Sequence, residues 1–278
     1  MKFSLWTNYG ARNSAPVFAA FADSLKAAGH EVVYNQQGAD RDVIWSVLWR
    51  GRMQSNRQIF KPGHTIVLEV GGLKRNETWK VAIGGINREA YFGPMGNNSD
   101  RAEKLGLTLK PWKPNPDGPI VLCCQNPFSR QWEGQPGMVD WTRETLTLIR
   151  KHTDRHILLR PHPRHKLPPL ERGFLPNVTR QEPRHLPGTY DDFDFEPVDA
   201  WSIINWSSNP ATQAVMDGIP VFVGDDSLAY DVGNTDLPQI ENPQMPDRTQ
   251  WLNDIAYTEW TLEEIAQGLP LQRLTDQL

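Results

Sequence analysis

Cysteine is almost missing from this 278-residue chain, which carries only Cys123 and Cys124, side by side. Adjacent cysteines rarely bridge each other, and without further Cys or His nearby they make poor metal ligands. A disulfide scaffold and a structural zinc site are therefore excluded as organising principles, and the pair reads as strand residues in a reducing compartment. Long apolar runs are missing too. No stretch approaches the roughly 18 apolar residues of a membrane span. The opening MKFSLWTNYGARNS has one lysine and too short an apolar run for a secretory signal. A soluble, cytoplasmic protein with no membrane insertion and no obligate protein partner is expected. Nor is there an excess of one charge. The formal net charge of -4 excludes a uniformly basic nucleic-acid coat, although a local basic surface remains compatible with it.

Several motifs are absent as well. There is no GxxxxGK[ST] loop, no GxGxxG after a strand, no HExxH and no paired CxxC, which argues against P-loop transfer, a standard dinucleotide fold and zinc chemistry. The one DxD spacing, Asp192-Phe193-Asp194, lies in a polar stretch between expected strands. Chemistry without a metal or a resident cofactor follows as the expectation.

What is present is a repeated alternation of strand and helix. Residues 1–6 form an apolar strand, 16–28 carry apolar positions at helical spacing up to Gly29, and 31–34 form a second strand, which together predict a right-handed strand–helix–strand unit. Buried strands are expected over 42–48 and 64–70, and a short helix over 97–109. The segment KPWKPNPDGP then packs four prolines and a glycine into ten residues and marks a domain boundary. The pattern restarts with a strand over 120–124, a helix over 139–153 and a strand over 156–160. After a Pro-rich polar stretch at 165–197 come a strand over 201–206, a helix over 210–217, a strand over 220–223, and closing helices over 246–257 and 261–268. Two α/β halves, 1–116 and 117–278, are thus expected to face each other across a cleft, with ligands at the carboxyl ends of the strands. Eleven tryptophans are many for this length, and most of them read as packing residues.

Five segments have residue types suited to chemistry. In RHILLRPHPRHK a strand ends at Arg160 and delivers His162 between two prolines, with Arg164, His165 and Lys166 behind it, a rigid basic loop suited to a phosphate that gains charge. In WSIINWSSNPATQAVMDG a strand ends at Ser207, Ser208 and Asn209 just before a helix that has Pro210 in its first turn. Free backbone N–H groups and hydroxyls at a helix start favour an anion, and the same residues also serve as ordinary caps. The loop holding Gln125, Asn126 and Ser129 follows the first strand of the second half and opens, by strand order, on the same edge. In the first half, Glu69 stands near the end of a buried strand before Gly71 and Gly72. There a partly desolvated carboxylate suits a general base; an ion pair with Lys74, Arg75 or Arg88 is the other role open to it. Asn8, Tyr9 and Arg12 follow the first strand and would line an acceptor.

His162-Pro163 at one strand end, and Ser207-Ser208 at another before a helix closing in MDGIPVF, resemble the HP and SS motifs of bacterial sialyltransferases and capsule polysaccharide glycosyltransferases. Glu69-Val70-Gly71 is similar to their acidic pair followed by glycine, with Val70 in the second acidic position. The ending QWLNDIAYTEWTLEEIAQG is similar to the C-terminal helices of capsule-type and phage-encoded relatives. The resemblance implies a GT-B fold of two Rossmann-like domains. It implies that the second half binds a UDP- or CMP-linked sugar through Gln125, Asn126, Ser129, Arg160, His162, Arg164, Ser207, Ser208 and Asn209. It further implies that Glu69 deprotonates an acceptor hydroxyl, giving inverting transfer without a metal. The compact size also resembles phage-encoded enzymes that glycosylate modified pyrimidines in DNA, for which Trp49, Arg50 and Arg52 would supply an aromatic wedge and phosphate contacts. A saccharide or lipid-linked acceptor, a sugar-nucleotide epimerase and an inactive binding module are the other expectations.

Overall fold

A computed structural model describes residues 1–278 except Arg172, Tyr190, Asp191, Pro197 and Val198. The chain begins with β1 (Lys2–Leu5), α1 (Ala15–Ala27), β2 (Glu31–Tyr34), β3 (Arg41–Trp45), α2 (Asn56–Ile59), β4 (Ile66–Val70), β5 (Trp79–Ile83) and α3 (Asp100–Lys104). Helix α1 forms because Val17, Phe18, Phe21, Ala22 and Leu25 recur on one buried face, with Pro16 in its first turn and Gly29 at φ +79° beyond its end. Each side chain buried this fully contributes about 1.5–3 kcal/mol if it is Val, Leu or Phe. Two expected elements are shorter than their sequence pattern. The strand over 42–48 stops at Trp45, because Ser46 turns left-handed at φ 65°. The helix over 97–109 is reduced to five residues and is followed by Gly106 at φ 63°.

A second set of elements follows: β6 (Ile120–Cys123), α4 (Met138–Arg150), β7 (Ile157–Arg160), β8 (Val178–Arg180), β9 (Ser202–Ile204), α5 (Asn209–Met216) and β10 (Val221–Phe222). These strands form a five-stranded sheet in the order β10-β9-β6-β7-β8, parallel throughout. Its core is built from Ile120, Leu122, Leu146, Ile149, Ile157, Leu159 and Phe222. Strand β8 lies inside the stretch expected to be a polar connection; it is an edge strand with two exposed residues, so hydrophobic patterning does not reveal it. Four of the residues in that expected 165–197 stretch are outside the described residues.

The last thirty residues overturn the expected domain limits. Segment 249–278 belongs with residues 1–108, and 109–248 forms the other unit, so the halves are not 1–116 and 117–278. The closing elements are α6 (Thr249–Ile255), β11 (Glu259–Trp260), α7 (Leu262–Ala266) and α8 (Leu269–Arg273). β11 pairs antiparallel with β5, which completes a six-stranded sheet in the order β11-β5-β4-β3-β1-β2. The physical reason is the open edge of β5, which needs a partner strand, and a two-residue strand is too short to carry a sequence signal. Helix α7 packs on α1. It opens with a capping box in which Thr261 accepts from the Glu264 amide and Glu264 accepts from the Thr261 amide. The protein is therefore a mixed α/β chain with two mainly parallel sheets. No helix among the described residues is long and apolar enough to cross a membrane.

Candidate functional site

In the unit formed by 109–248, the chain leaves β6 for β7 and β8 on one side and returns to β9 and β10 on the other. The connections thus diverge between β6 and β9, opening a crevice at their carboxyl ends, where parallel α/β sheets hold ligands. Gln125 follows β6 there and Ser207 follows β9. The Gln125 Nε2 donates to Ser207 Oγ at 3.2 Å and to Ser129 Oγ at 3.2 Å, tying the two strand ends together. Gln125 is 5% exposed, and its Oε1 has no hydrogen-bond partner among the described residues. Asn126 shapes the loop: its Oδ1 accepts from Phe128 N at 3.1 Å, and its carbonyl accepts from Ser129 N and Oγ.

The loop after β7 reaches the same edge. Phe128 and His165 meet edge to face at 6.0 Å, so the β6 and β7 loops touch. The Arg164 amide donates to His162 Nδ1 at 3.1 Å. That bond makes Nδ1 the lone-pair nitrogen and leaves Nε2 as the proton-bearing donor of a neutral imidazole. Gln125 and Ser207 are thus joined across the ends of β6 and β9, and His162 follows the adjacent strand β7.

Asn205 is a member of this cluster that sequence reasoning misses. Its Nδ2 donates to the Ser208 carbonyl at 2.9 Å and to Ser208 Oγ at 3.1 Å. Ser208 is the N-cap of α5, yet its hydroxyl makes no capping bond to the helix; Pro210 has no N–H and the Ala211 amide donates to the Ser208 carbonyl, so of these first positions Asn209 is the one whose amide can serve another acceptor. The Asn205 Oδ1, on a residue 2% exposed, has no partner among the described residues. An asparagine ending an apolar strand is the only signal that would have marked it.

Arg160 does not join the cluster, which corrects its expected role on the donor. Its guanidinium turns to Asp194, with Nη2 at 2.6 Å from Oδ1, and to Gln181 Oε1 at 3.2 Å. Burial opposes ionisation of Asp194, but hydrogen bonds from Arg160 and Arg184 outweigh it and hold the carboxyl well below the usual range. The DxD spacing thus places its second carboxylate in an ion pair with two arginines.

In the other unit the connections diverge between β1 and β3, and the expected acceptor residues sit at that point. The Asn8 amide donates to Asn35 Oδ1 at 3.0 Å. Tyr9 stacks on Trp6, with centroids 6.1 Å apart, and Trp6 Nε1 donates to Asp42 at 2.8 Å. Arg12, Arg50 and Arg52 are exposed. Trp49 is not: it is 7% exposed and packs on Phe60 at 5.7 Å, beside Ile44, Val47 and Val67. Its expected role as an aromatic wedge is corrected to core packing. The other tryptophans agree, since Trp6, Trp45, Trp132, Trp251 and Trp260 are buried and the remaining five are half-buried.

Glu69, at the end of β4, is half-buried and its Oε1 accepts from the Val70 amide at 2.8 Å. The loop behind it is anchored by Glu259 of β11, which sequence reasoning also misses. Glu259 accepts from Gly72 N at 2.6 Å, Leu73 N at 3.0 Å and Thr78 Oγ1 at 2.7 Å.

No protein-family model and no curated protein matches the chain. Among solved structures, it is similar to the β-Kdo 2,7 transferase of KpsC from Thermosulfurimonas dismutans, with a TM-score of 0.52 at 12% identity over 98% of this chain and 100% of that one. The β-Kdo 2,4 transferase of the same organism's KpsC aligns over 97% of this chain and 98% of that one at 16% identity, with a TM-score of 0.49. At 12% identity the first likeness shows a shared fold and no more.

Proposed function

We propose that the protein is a metal-independent, inverting glycosyltransferase of GT-B type that moves a sugar from a UDP- or CMP-linked donor to a hydroxyl group. The observation that carries this is the hydrogen bond that joins Gln125 and Ser207 across the ends of β6 and β9, with His162 following the adjacent β7 and with a helix start whose cap hydroxyl makes no capping bond. The donors in this reading are the serine hydroxyls and the Asn209 amide at the start of α5, and no carboxylate belongs to the set, which suits a phosphate. A solved structure that shares the fold is described as a β-Kdo 2,7 transferase, and this supports a sugar-transfer role.

In this mechanism the donor phosphate accepts from His162 Nε2–H and from the Asn209 amide at the start of α5. Glu69 takes the proton of the acceptor hydroxyl, and the freed oxygen pair forms a bond to the anomeric carbon on the side away from the nucleotide. The anomeric C–O bond breaks, its electrons pass to the phosphate, and configuration inverts. The chain's own donors stabilise the growing charge. Asp194, bound to Arg160 and Arg184, is unsuited to holding a metal in that role. We assign the acceptor as a saccharide hydroxyl. A base in DNA would require an exposed wedge, and Trp49 is in the core.

The test is a thermal-shift panel of nucleotides and nucleotide sugars, since a ligand that binds the folded state raises Tm by mass action. Stabilisation by a single nucleotide family, lost in His162→Ala, is the expected result. If no member of the panel stabilises the wild type, the donor site is wrongly assigned. A donor that is consumed without acceptor, with its sugar configuration changed, points instead to an epimerase. Binding without any turnover points to an inactive module.

A further inference from the structure

A cavity of about 530 Å³ lies between α3 and the C-terminal helices, within the unit that contains both. This is inside the roughly 300–1,000 Å³ span of small-molecule sites. Trp260 and Tyr257 line it, and Arg101 holds them in place. Arg101 donates to both Glu264 oxygens at 2.9 Å and to the Ala256 carbonyl at 2.6 Å, while its guanidinium lies 3.8 Å from the Trp260 ring centroid. Arg273 covers Tyr257 at 4.1 Å and donates through Nη2 to the Pro94 carbonyl at 2.6 Å. The floor is therefore fixed before any ligand arrives.

Two buried donors in this lining have no hydrogen-bond partner among the described residues: Trp260 Nε1, on a side chain 3% exposed, and Arg273 Nε. An unmet buried donor costs about 1–3 kcal/mol, so an acceptor brought by a ligand is favoured there. The charges of the lining decide which ligand. Arg101, Lys104 and Arg273 are balanced by Asp100, Glu264 and Asp276. An anion would meet three carboxylates and a cation three basic groups. A neutral polyol meets no such penalty, because each hydroxyl accepts from an N–H and donates to a carboxylate.

The geometry points to a second saccharide site here, one that binds neutral oligosaccharide away from Glu69. Trp260 pairs in register with Trp79, which pairs with Val70, whereas Glu259, Lys80 and Glu69 form the adjacent row of partners. Successive residues of a strand point to opposite faces, so Trp260 and Glu69 belong to opposite faces of the sheet.

The full-length chain is tested on an array of neutral, acidic and sulfated oligosaccharides, alongside Gln272→Ala/Asp276→Ala, Arg273→Lys and Glu69→Gln. Gln272 and Asp276 are exposed, so the double variant is expected to keep the wild-type Tm. The expected result is retention of neutral glycans, weakened at least tenfold by the double variant and by Arg273→Lys and unchanged in Glu69→Gln. Retention of no neutral glycan, or of acidic or sulfated ones alone, overturns the proposal. So does a double variant that binds at full strength, or loss of binding in Glu69→Gln, which would move the glycan to the Glu69 face.

Discussion

Lys80 on β5 stands directly opposite Glu69 on β4, as Cα partners in the antiparallel ladder. Glu259 on β11 flanks Lys80 from the other side in the same register. Lys80 is 2% exposed, and its Nζ donates to the Ile86 carbonyl at 2.9 Å and to Asn87 Oδ1 at 3.4 Å. Burial pushes its pKa down, while Glu259, Glu69 and Glu89 push it back up. One carboxylate of the three-strand set, Glu259, is fixed by backbone amides. The other, Glu69, is half-buried at the strand end and remains the one a substrate can reach.

Glu69→Gln removes the proposed base and keeps the amide-accepting oxygen. Transfer is expected to fall by about 10²–10⁴-fold, the usual contribution of a positioned base, with nucleotide affinity unchanged. Steady-state rates and calorimetric donor titration check this. Transfer at the wild-type rate removes Glu69 from the mechanism.

Gly71→Ala places a methyl group against the Glu259 carboxylate and the Thr78 carbonyl. Overpacking of this kind costs about 1–3 kcal/mol, and it also forces Glu259 off the Gly72 and Leu73 amides. Chemical denaturation should show that loss, and transfer should fall with it. A substitution at Gly29, where a Cβ meets nothing within 4 Å but the φ is +79°, tests backbone strain alone.

Glu264 makes stability sensitive to acid. Burial by itself would raise its pKa, but hydrogen bonds from Arg101, Lys104 and the Thr261 amide hold it at about 2, against 4.5 for the free side chain. Its folded pKa is depressed, so its stabilisation is complete above pH 4.5 and is lost as pH falls towards 2. The shift corresponds to about 3 kcal/mol at neutral pH. Glu264→Gln leaves Arg101 buried without its partner and should cost about 3–5 kcal/mol near neutrality. The gap between wild type and variant should narrow as pH drops below 4; urea titrations at pH 7 and pH 3 that give an equal gap contradict the assignment.

The two thiols should be inert in the native protein. Burial pushes Cys123 up to about 12 and Cys124 up to about 11; Cys123 ends β6, Cys124 follows it, and both are under 5% exposed. A disulfide-exchange reagent at pH 8 should label neither until denaturant is added, since the thiolate is the reactive form. Stoichiometric labelling of the folded chain would show that β6 opens locally.

Sequence pattern located the features that depend on local chemistry. The helical spacing of Val17, Phe18, Phe21 and Leu25 and the prolines around His162 are readable one window at a time, as is the Ser207–Pro210 junction. What escaped depends on partners distant along the chain. Lys80 in the strand WKVAI looks out of place until β4 and β11 flank it, and Glu259 lies 187 residues from the Gly72 amide that it accepts from. The turn of Arg160 away from the expected donor site has the same origin, because nothing near it in sequence announces Asp194. Trp49, in a basic segment, looked like a surface residue; the core contact that buries it, Phe60, is eleven positions away.

The return of the chain's last segment to its first sheet sets an order of events during synthesis. Residues 109–248 form an uninterrupted unit, whereas the other unit is split between 1–108 and 249–278. A ribosome delivers the chain from the amino end, so the later unit has all its strands while the earlier sheet still waits for β11. Until that segment emerges, β5 presents a bare edge and the Gly72 and Leu73 amides lack their acceptor. A nascent chain stalled at residue 248 would thus carry one finished sheet and one with an open template for pairing with a neighbour.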